Sequence, residues 1–375
     1  MRRRFLNHVL ATLAFLTACD GEVARPDGPE VGSVCTATAY ERYEFLSATG
    51  PPTLVNSYLY VPVMQQTEAK LAVLELGDRT VRLAALNPGW DVMGPGWQQL
   101  DADLVVRGTS RGVQVLDVQD PLSPKVELVD VGFFIVGQAM LGNVGRKVFF
   151  CGVEELSSYD VHLVSVDLTD PLHPSTEVIP SSACGLSVFE EASHGAWRVE
   201  NIDAGDAGTK VVAYRLDQGG VPAFERSWPQ GDRSAIGELW IHDGILVGRA
   251  PQQEEIVLFR LGDPSGELGR LDSSPETDDY FLVGEHLHWL EGLEDPLYSA
   301  NFGDLDSGTL VLEPNYALGG SDGAPFFMTS DESRVVVVSN LMDVYVMSPG
   351  TVGAVAPLAW VDDAGAPFCP AVRSR

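Results

Sequence analysis

The chain has 375 residues, and its 24 Lys and Arg face 53 Asp and Glu, a formal net charge of −29. A surface so acidic repels nucleic-acid phosphates and anionic lipid headgroups, which excludes both as charge-held partners. It suits cationic partners or a divalent cation such as calcium, or it serves solubility alone.

The chain opens "MRRRFLNHVLATLAFLTACDGE". Three arginines precede an apolar run from Val9 to Leu16 that is too short to span a bilayer, so residues 1–18 read as an export signal. The end, Leu16-Thr17-Ala18-Cys19, resembles a bacterial lipobox, in which a peptidase cuts before the cysteine and the thiol takes lipid. An ordinary signal peptide that happens to contain Cys19 is the plainer alternative. Arg2-Arg3-Arg4-Phe5-Leu6 also resembles a twin-arginine export signal, which would change only the route. No other apolar stretch of spanning length follows, so the lipid would be the sole membrane attachment. Residues 19–34 are rich in Asp, Glu, Gly and Pro and read as a flexible tether. Residues 35–375 read as one domain.

That domain repeats itself. "VQVLDVQDPLSPKVELVDV" at 113–131 returns as "HLVSVDLTDPLHPSTEVIP" at 162–180. Weaker copies begin at Leu71, Val211, Ile256, Leu297 and Val344. Aligned on the fourth residue of each copy, Glu75, Asp117, Asp167, Arg215, Arg260, Asn301 and Met347 follow one another at intervals of 41 to 50 residues. Each copy is an apolar strand, a turn of Gly, Asp or Pro, and a second strand, and further strand-like runs precede it, such as "RKVFFCG" and "PFFMTSDESRVVVVSN". Four short strands per repeat, with no competing helical periodicity, predict an all-β, seven-bladed β-propeller with four antiparallel strands per blade. Six or eight blades stay open, because four copies are divergent. Within the phrase, Asp120 and Asp170 are expected to accept a backbone N–H two residues on. Pro121 then takes the chain out of the ladder. The strand beginning after Pro124 should lie at the outer edge of its blade.

"VQVLDVQDPLSP" and "LVSVDLTDPLHP" resemble the LVIVD repeat of exported bacterial proteins, and "LFRLGDPSG" matches it in part, with Arg260 in place of Asp. The resemblance implies a β-propeller in the cell envelope, facing the periplasm or the cell surface. It implies no catalytic residue.

Four cysteines follow Cys19. Cys35 precedes the first blade and Cys369 follows the last, so a Cys35–Cys369 disulfide could staple the ring. Cys151 and Cys184 could pair within or between neighbouring blades, or remain free thiols. The stretch "AYERYEFLS" from Ala39 could add a strand to the last blade and latch the ends another way.

Two stretches, Gly108–Gly112 and Gly319–Gly323, match the G-x-S-x-G nucleophile pattern literally. Both fall in turns of a β repeat, where the strand-to-helix elbow that activates the serine is missing. His286 and His288 lie two apart on a strand, hence on one face, a spacing that suits a metal. Asp278 and Asp279 lie close by in sequence. Asp304 and Asp306 resemble the start of a calcium loop, but Gly308 takes the third ligand place and no bidentate Glu follows. Trp90 and Trp97, in "NPGWDVMGPGWQQ", are the first candidates for a binding surface toward a protein or carbohydrate ligand. The reading is a monomeric, lipid-anchored binding scaffold. The alternatives are a metal-dependent hydrolase or lyase using carboxylates and the two histidines, and a purely structural envelope protein.

Overall fold

A computed structural model of the protein describes residues 46–86, 97–110, 112–155, 160–179, 184, 187–192, 195–203, 205–229, 231–232, 236, 238–242, 244–250, 255–261, 267–272, 280–283, 286–290, 297–301, 311–312, 317–318, 326–331, 333–348, 354–355, 357–363, 365 and 367–368. These residues are nearly all β. Two single 3-10 turns, Gly205–Ala207 and Leu216–Gln218, are the helical segments among them.

Strands that follow one another in the chain pair antiparallel in compact groups. The first sheet holds Thr53–Val55, Tyr58–Gln65, Glu68–Glu75 and Thr80–Ala85. The second holds Gln98–Gln99, Leu104–Thr109, Gly112–Asp117 and Lys125–Val129. The third holds Phe134–Val144, Lys147–Val153, His162–Asp167 and Ser175–Ile179, and the fourth Ser187–Ala192, Gly195–Asp203, Thr209–Arg215 and Val221–Trp228. The fifth runs from Glu238–His242 through Ile245–Ala250 and Glu255–Arg260 to Glu267–Asp272. The sixth runs from Tyr280–Val283 through His286–Leu290 and Leu297–Asn301 to Val311–Leu312. The last holds Phe326–Ser330, Val335–Ser339 and Val344–Met347.

The strands alternate, but both sets of alternate residues are apolar. Along Tyr58–Gln65, Leu59, Val61 and Val63 enter a core shared with Val336, Val338 and Val344 of the last sheet. Tyr60, between them, enters the core shared with Val105 and Leu116 of the second sheet. The second sheet repeats the division: Val106, Val113 and Val115 turn the other way and pack against Val148, Phe150, Val164 and Val166 of the third. Phe149 and Leu163 then face Phe189 of the fourth, with the rings of Phe149 and Phe189 stacked at 3.9 Å. Trp197, Val199 and Val211 of the fourth pack on Leu246, Val257 and Phe259 of the fifth. Each of these sheets is therefore a slab between two slabs.

The repeated phrase makes the same bonds each time. Leu122 N–H donates to Asp120 Oδ1 at 3.2 Å, and Leu172 N–H to Asp170 Oδ1 at 3.1 Å. The two aspartates one step earlier act alike, since Gln119 N–H reaches Asp117 and Thr169 N–H reaches Asp167, both at 2.9 Å. The residue after the aligned position also ties the strand end to the preceding hairpin, as Leu76 N–H to Ser57 O, Val118 to Asp103, Leu168 to Arg146 and Leu261 to Gly244, at 2.8–2.9 Å. Lys125–Val129 and Ser175–Ile179 are the outer strands, as Pro124 and Pro174 require.

The ends do not latch as the sequence suggested. Leu46–Ala48 pairs with Tyr58–Gln65 of the first sheet, and reaches the last sheet only through Ala48 N–H, which donates to Asn340 O at 2.9 Å. The reason is length: Thr53–Val55 covers Tyr58, Leu59 and Tyr60, so the far half of the eight-residue strand keeps an open edge. At the opposite edge of the same sheet Val361–Asp362 pairs in parallel with Thr80 and Val81.

Between the third and fourth sheets a parallel bridge joins Gly142 to Phe189. Gly142 has φ +127, and a Cβ there would lie 1.8 Å from the Phe189 carbonyl oxygen. Gly142→Ala should therefore cost about 2 kcal/mol or more and lower the urea midpoint of unfolding, because the close approach leaves no room for a methyl group.

Candidate functional site

The residues singled out in the sequence scatter through this framework. His286 and His288 stand on one strand of the sixth sheet with ring centroids 6.1 Å apart, 18° from parallel. His288 is 1% exposed and lies opposite Phe281 on one side and Ser299 on the other. Burial, and then the neighbouring His286, push its pKa down to about 4. It is a neutral imidazole at pH 7, the form that can offer a lone pair to a metal. Among the described residues no group of three or more His, Cys, Asp or Glu is placed to hold an ion. Asp278, Asp279, Asp304 and Asp306 lie outside the described residues.

Cys151, in the second strand of the third sheet, and Cys184, beyond its outer strand, are joined as a disulfide with Cα atoms 5.6 Å apart. Cys19, Cys35 and Cys369 lie outside the described residues. So does Trp90. Trp97 is half-buried against the core between the first and second sheets, and the Arg107 guanidinium lies 4.7 Å from its ring centroid. The indole is thus largely spent on packing, where a cation–π contact adds to burial. Ser110 sits in the hairpin that Thr109 and Gly112 close, with Thr109 Oγ1 donating to Gly112 O at 3.0 Å. That turn has no helix to follow it, in keeping with the rejected nucleophile reading. Gly319–Gly323 lies outside the described residues.

Sequence reasoning passed over two buried polar groups. Arg107 is fully buried, and its Nε donates to Gln114 Oε1 at 2.7 Å on the neighbouring strand. In the fourth sheet Arg198 pairs with the buried Glu200, Ser187 Oγ donates to the same carboxylate at 3.4 Å, and the Arg198 guanidinium lies over Phe189. Burial, with the Glu200 charge next, raises the Tyr214 pKa. The signal was present in "AWRVEN": Arg198 and Glu200 alternate with Trp197 and Val199, so the two pairs face different neighbouring sheets. These groups lie between sheets, where they fix how the slabs meet.

The aspartates of the repeat are also occupied. The Thr169 hydroxyl and amide hold the Asp167 carboxyl below its ordinary range, and His173 does the same for Asp170. Tyr60 donates its hydroxyl to Pro121 O at 3.3 Å, which ties the first sheet to the turn of the second.

No protein-family model and no curated protein matches the chain. Solved structures do. An oligogalacturonate lyase in complex with manganese aligns with a TM-score of 0.54 at 13% identity, over 81% of this chain and 90% of that one. An oligogalacturonate lyase from Vibrio parahaemolyticus aligns with a TM-score of 0.51 at 11% identity, over 82% and 91%. A prolyl endopeptidase aligns with a TM-score of 0.52 at 13% identity, over 86% of this chain but half of its own. The fold is propeller-like. At these identities the likeness extends to the fold alone.

His288 carries a pH signature with a definite sign. Its pKa is near 6.5 in the unfolded chain and about 4 in the folded one, so the unfolded state takes the proton first. The stability it contributes is complete above pH 6.5 and is lost as pH falls toward 4, with a slope of up to about 1.4 kcal/mol per pH unit. Urea midpoints measured across this window should fall less steeply in His288→Leu than in the wild type.

Proposed function

We propose that the chain is a lipid-anchored, seven-bladed β-propeller of the cell envelope that acts as a binding scaffold for a protein or carbohydrate ligand. The observation that carries this reading is the double-sided burial of the sheets. Because both faces of a slab are consumed by its neighbours, recognition falls to loops and edges, the usual arrangement when a rigid scaffold presents a site. The turn aspartates support it too, since their carboxylates serve their own backbone. The seven strand groups, read with the resemblance of 113–124 and 163–174 to the LVIVD repeat, support seven blades. Ring closure would bring Cys35 and Cys369 together as a second disulfide. Cys19 would carry the lipid, and residues 20–34 would hold the propeller off an outer membrane, on its periplasmic face or at the cell surface.

A metal-dependent lyase or hydrolase is the second reading. His286 and His288 favour it, stacked and with His288 neutral. The fold shared with a lyase in complex with manganese fits it as well.

One set of measurements separates these. Cys19→Ala should abolish labelling by a radiolabelled fatty acid and move the protein from membrane to soluble fractions; unchanged labelling would remove the anchor from the proposal. Purified wild-type chain titrated with Mn2+ or Ca2+ by calorimetry should show no stoichiometric site. Stoichiometric binding that disappears in both His286→Ala and His288→Ala would instead favour the enzyme.

A further inference from the structure

The outer edge of the first sheet is already occupied by the chain's own tail. Val361 and Asp362 lie parallel to Thr80 and Val81, the Val361 amide donates to Arg79 O at 3.0 Å, and Arg82 Nε meets Asp363 at 2.9 Å. Leu83, next along the edge, is half-buried against the core that contains Trp360.

The second and third sheets present the same edge in the same register. Thr80 pairs with Glu75, Lys125 with Asp117 and Ser175 with Asp167. Arg82 therefore corresponds to Glu127 and Glu177, and Leu83 to Leu128 and Val178. Among the described residues no strand lies on either edge. Leu128 is 46% and Val178 43% exposed. The exposed large apolar side chains of the described residues all fall between Leu128 and Val178, with Leu172 in the turn that leads into the third edge.

An open, flat, partly apolar edge invites strand addition, and proteins usually blunt such edges with proline, bulges or inward charges. The neighbouring edges are blunted. Val221–Trp228 contains Pro222 and faces a register break at Ala213/Tyr214, and Glu267–Asp272 faces one at Leu258/Phe259. Lys125–Val129 and Ser175–Ile179 run through five consecutive pairs with no break.

We propose that Lys125–Val129 and Ser175–Ile179 are docking edges for an extended segment of a partner polypeptide. The segment adds as a parallel strand and carries Lys or Arg where the tail carries Asp363. The charge follows from the exchange of Arg82 for Glu127 and Glu177. Lys147 lies 3.7 Å from Glu177, so the Glu127 edge holds the basic residue more strongly. Lys125 shares a strand face with Glu127, which disfavours a register that sets the basic residue two positions earlier. Carbonyls of Pro124 and Pro174 stand where Arg79 O accepts from the tail. This inference goes beyond the scaffold reading above, since it uses blade edges and needs neither the lipid nor the loops.

The test uses the full chain and a labelled ten-residue peptide with the sequence of residues 357–366 carrying Asp363→Lys, followed by fluorescence anisotropy. Saturable binding is expected. The double variant Glu127→Lys/Glu177→Lys should weaken it by about fivefold or more and should bind the unaltered Asp363 peptide instead. Methylating the peptide nitrogen that corresponds to Val361 should abolish binding, because strand addition needs that donor. Both glutamates are exposed, so the double variant should keep the wild-type urea midpoint. Absence of binding at millimolar protein, or binding indifferent to both the charge exchange and the methylation, overturns the proposal. So does a concentration-dependent dimer of the chain that the double variant abolishes, since the edges would then serve a second copy.

Discussion

Everything in this protein depends on sheets that are apolar on both faces. A single four-stranded sheet of this kind cannot be stable in water, because covering one face leaves the other wet. Leu59, Val61 and Val63 go one way and Tyr60 the other, so the first sheet needs the last sheet and the second at once. Burial at roughly 25 cal/mol per Å² of apolar surface rewards each contact, and the only way to reward all of them is to stack sheets until no face is left over. The core shared by the first and last sheets is what closing the series looks like in side chains. The same logic leaves the outer strands with exposed backbone, since stacking covers faces and never edges.

That constraint decides where polar residues can go. A carboxylate has two inexpensive places, the turns and the rims. In the turns Asp117, Asp120, Asp167 and Asp170 accept amides that leave the ladder. A polar group between slabs must be paired, and Arg107 with Gln114 and Arg198 with Glu200 follow that rule. Such groups add alignment to otherwise greasy interfaces. Glycine enters where two backbones must touch, as Gly142 does under Phe189.

Chain termini meet a different problem. The first sheet receives a strand on each side, Leu46–Ala48 at one edge and Val361–Asp362 at the other. Both additions satisfy backbone groups that no neighbouring sheet could reach. An acidic tail residue then pairs with Arg82 on the receiving strand. Edge chemistry, unlike face chemistry, thus differs from sheet to sheet, and charge sets what each edge accepts.

The sequence alone determined the repeat, its period, the strand content and the turn mechanism of Asp120 and Asp170, because these are local consequences of alternation, proline and short side chains. It also marked which strands would be outermost. Tertiary structure decided the rest. Whether Trp97 is a platform or packing depends on Arg107 and the sheet it faces. Whether Leu46–Ala48 extends the last sheet or the first depends on which neighbouring strand is left uncovered. The ionisation of His288 depends on burial that no spacing of histidines announces. The charge of a docking edge was written in Glu127 and Glu177, but it became legible only once the pairing of Arg82 with Asp363 showed what that position does. Local pattern fixes the slab; contacts between residues far apart in the chain fix what each slab meets.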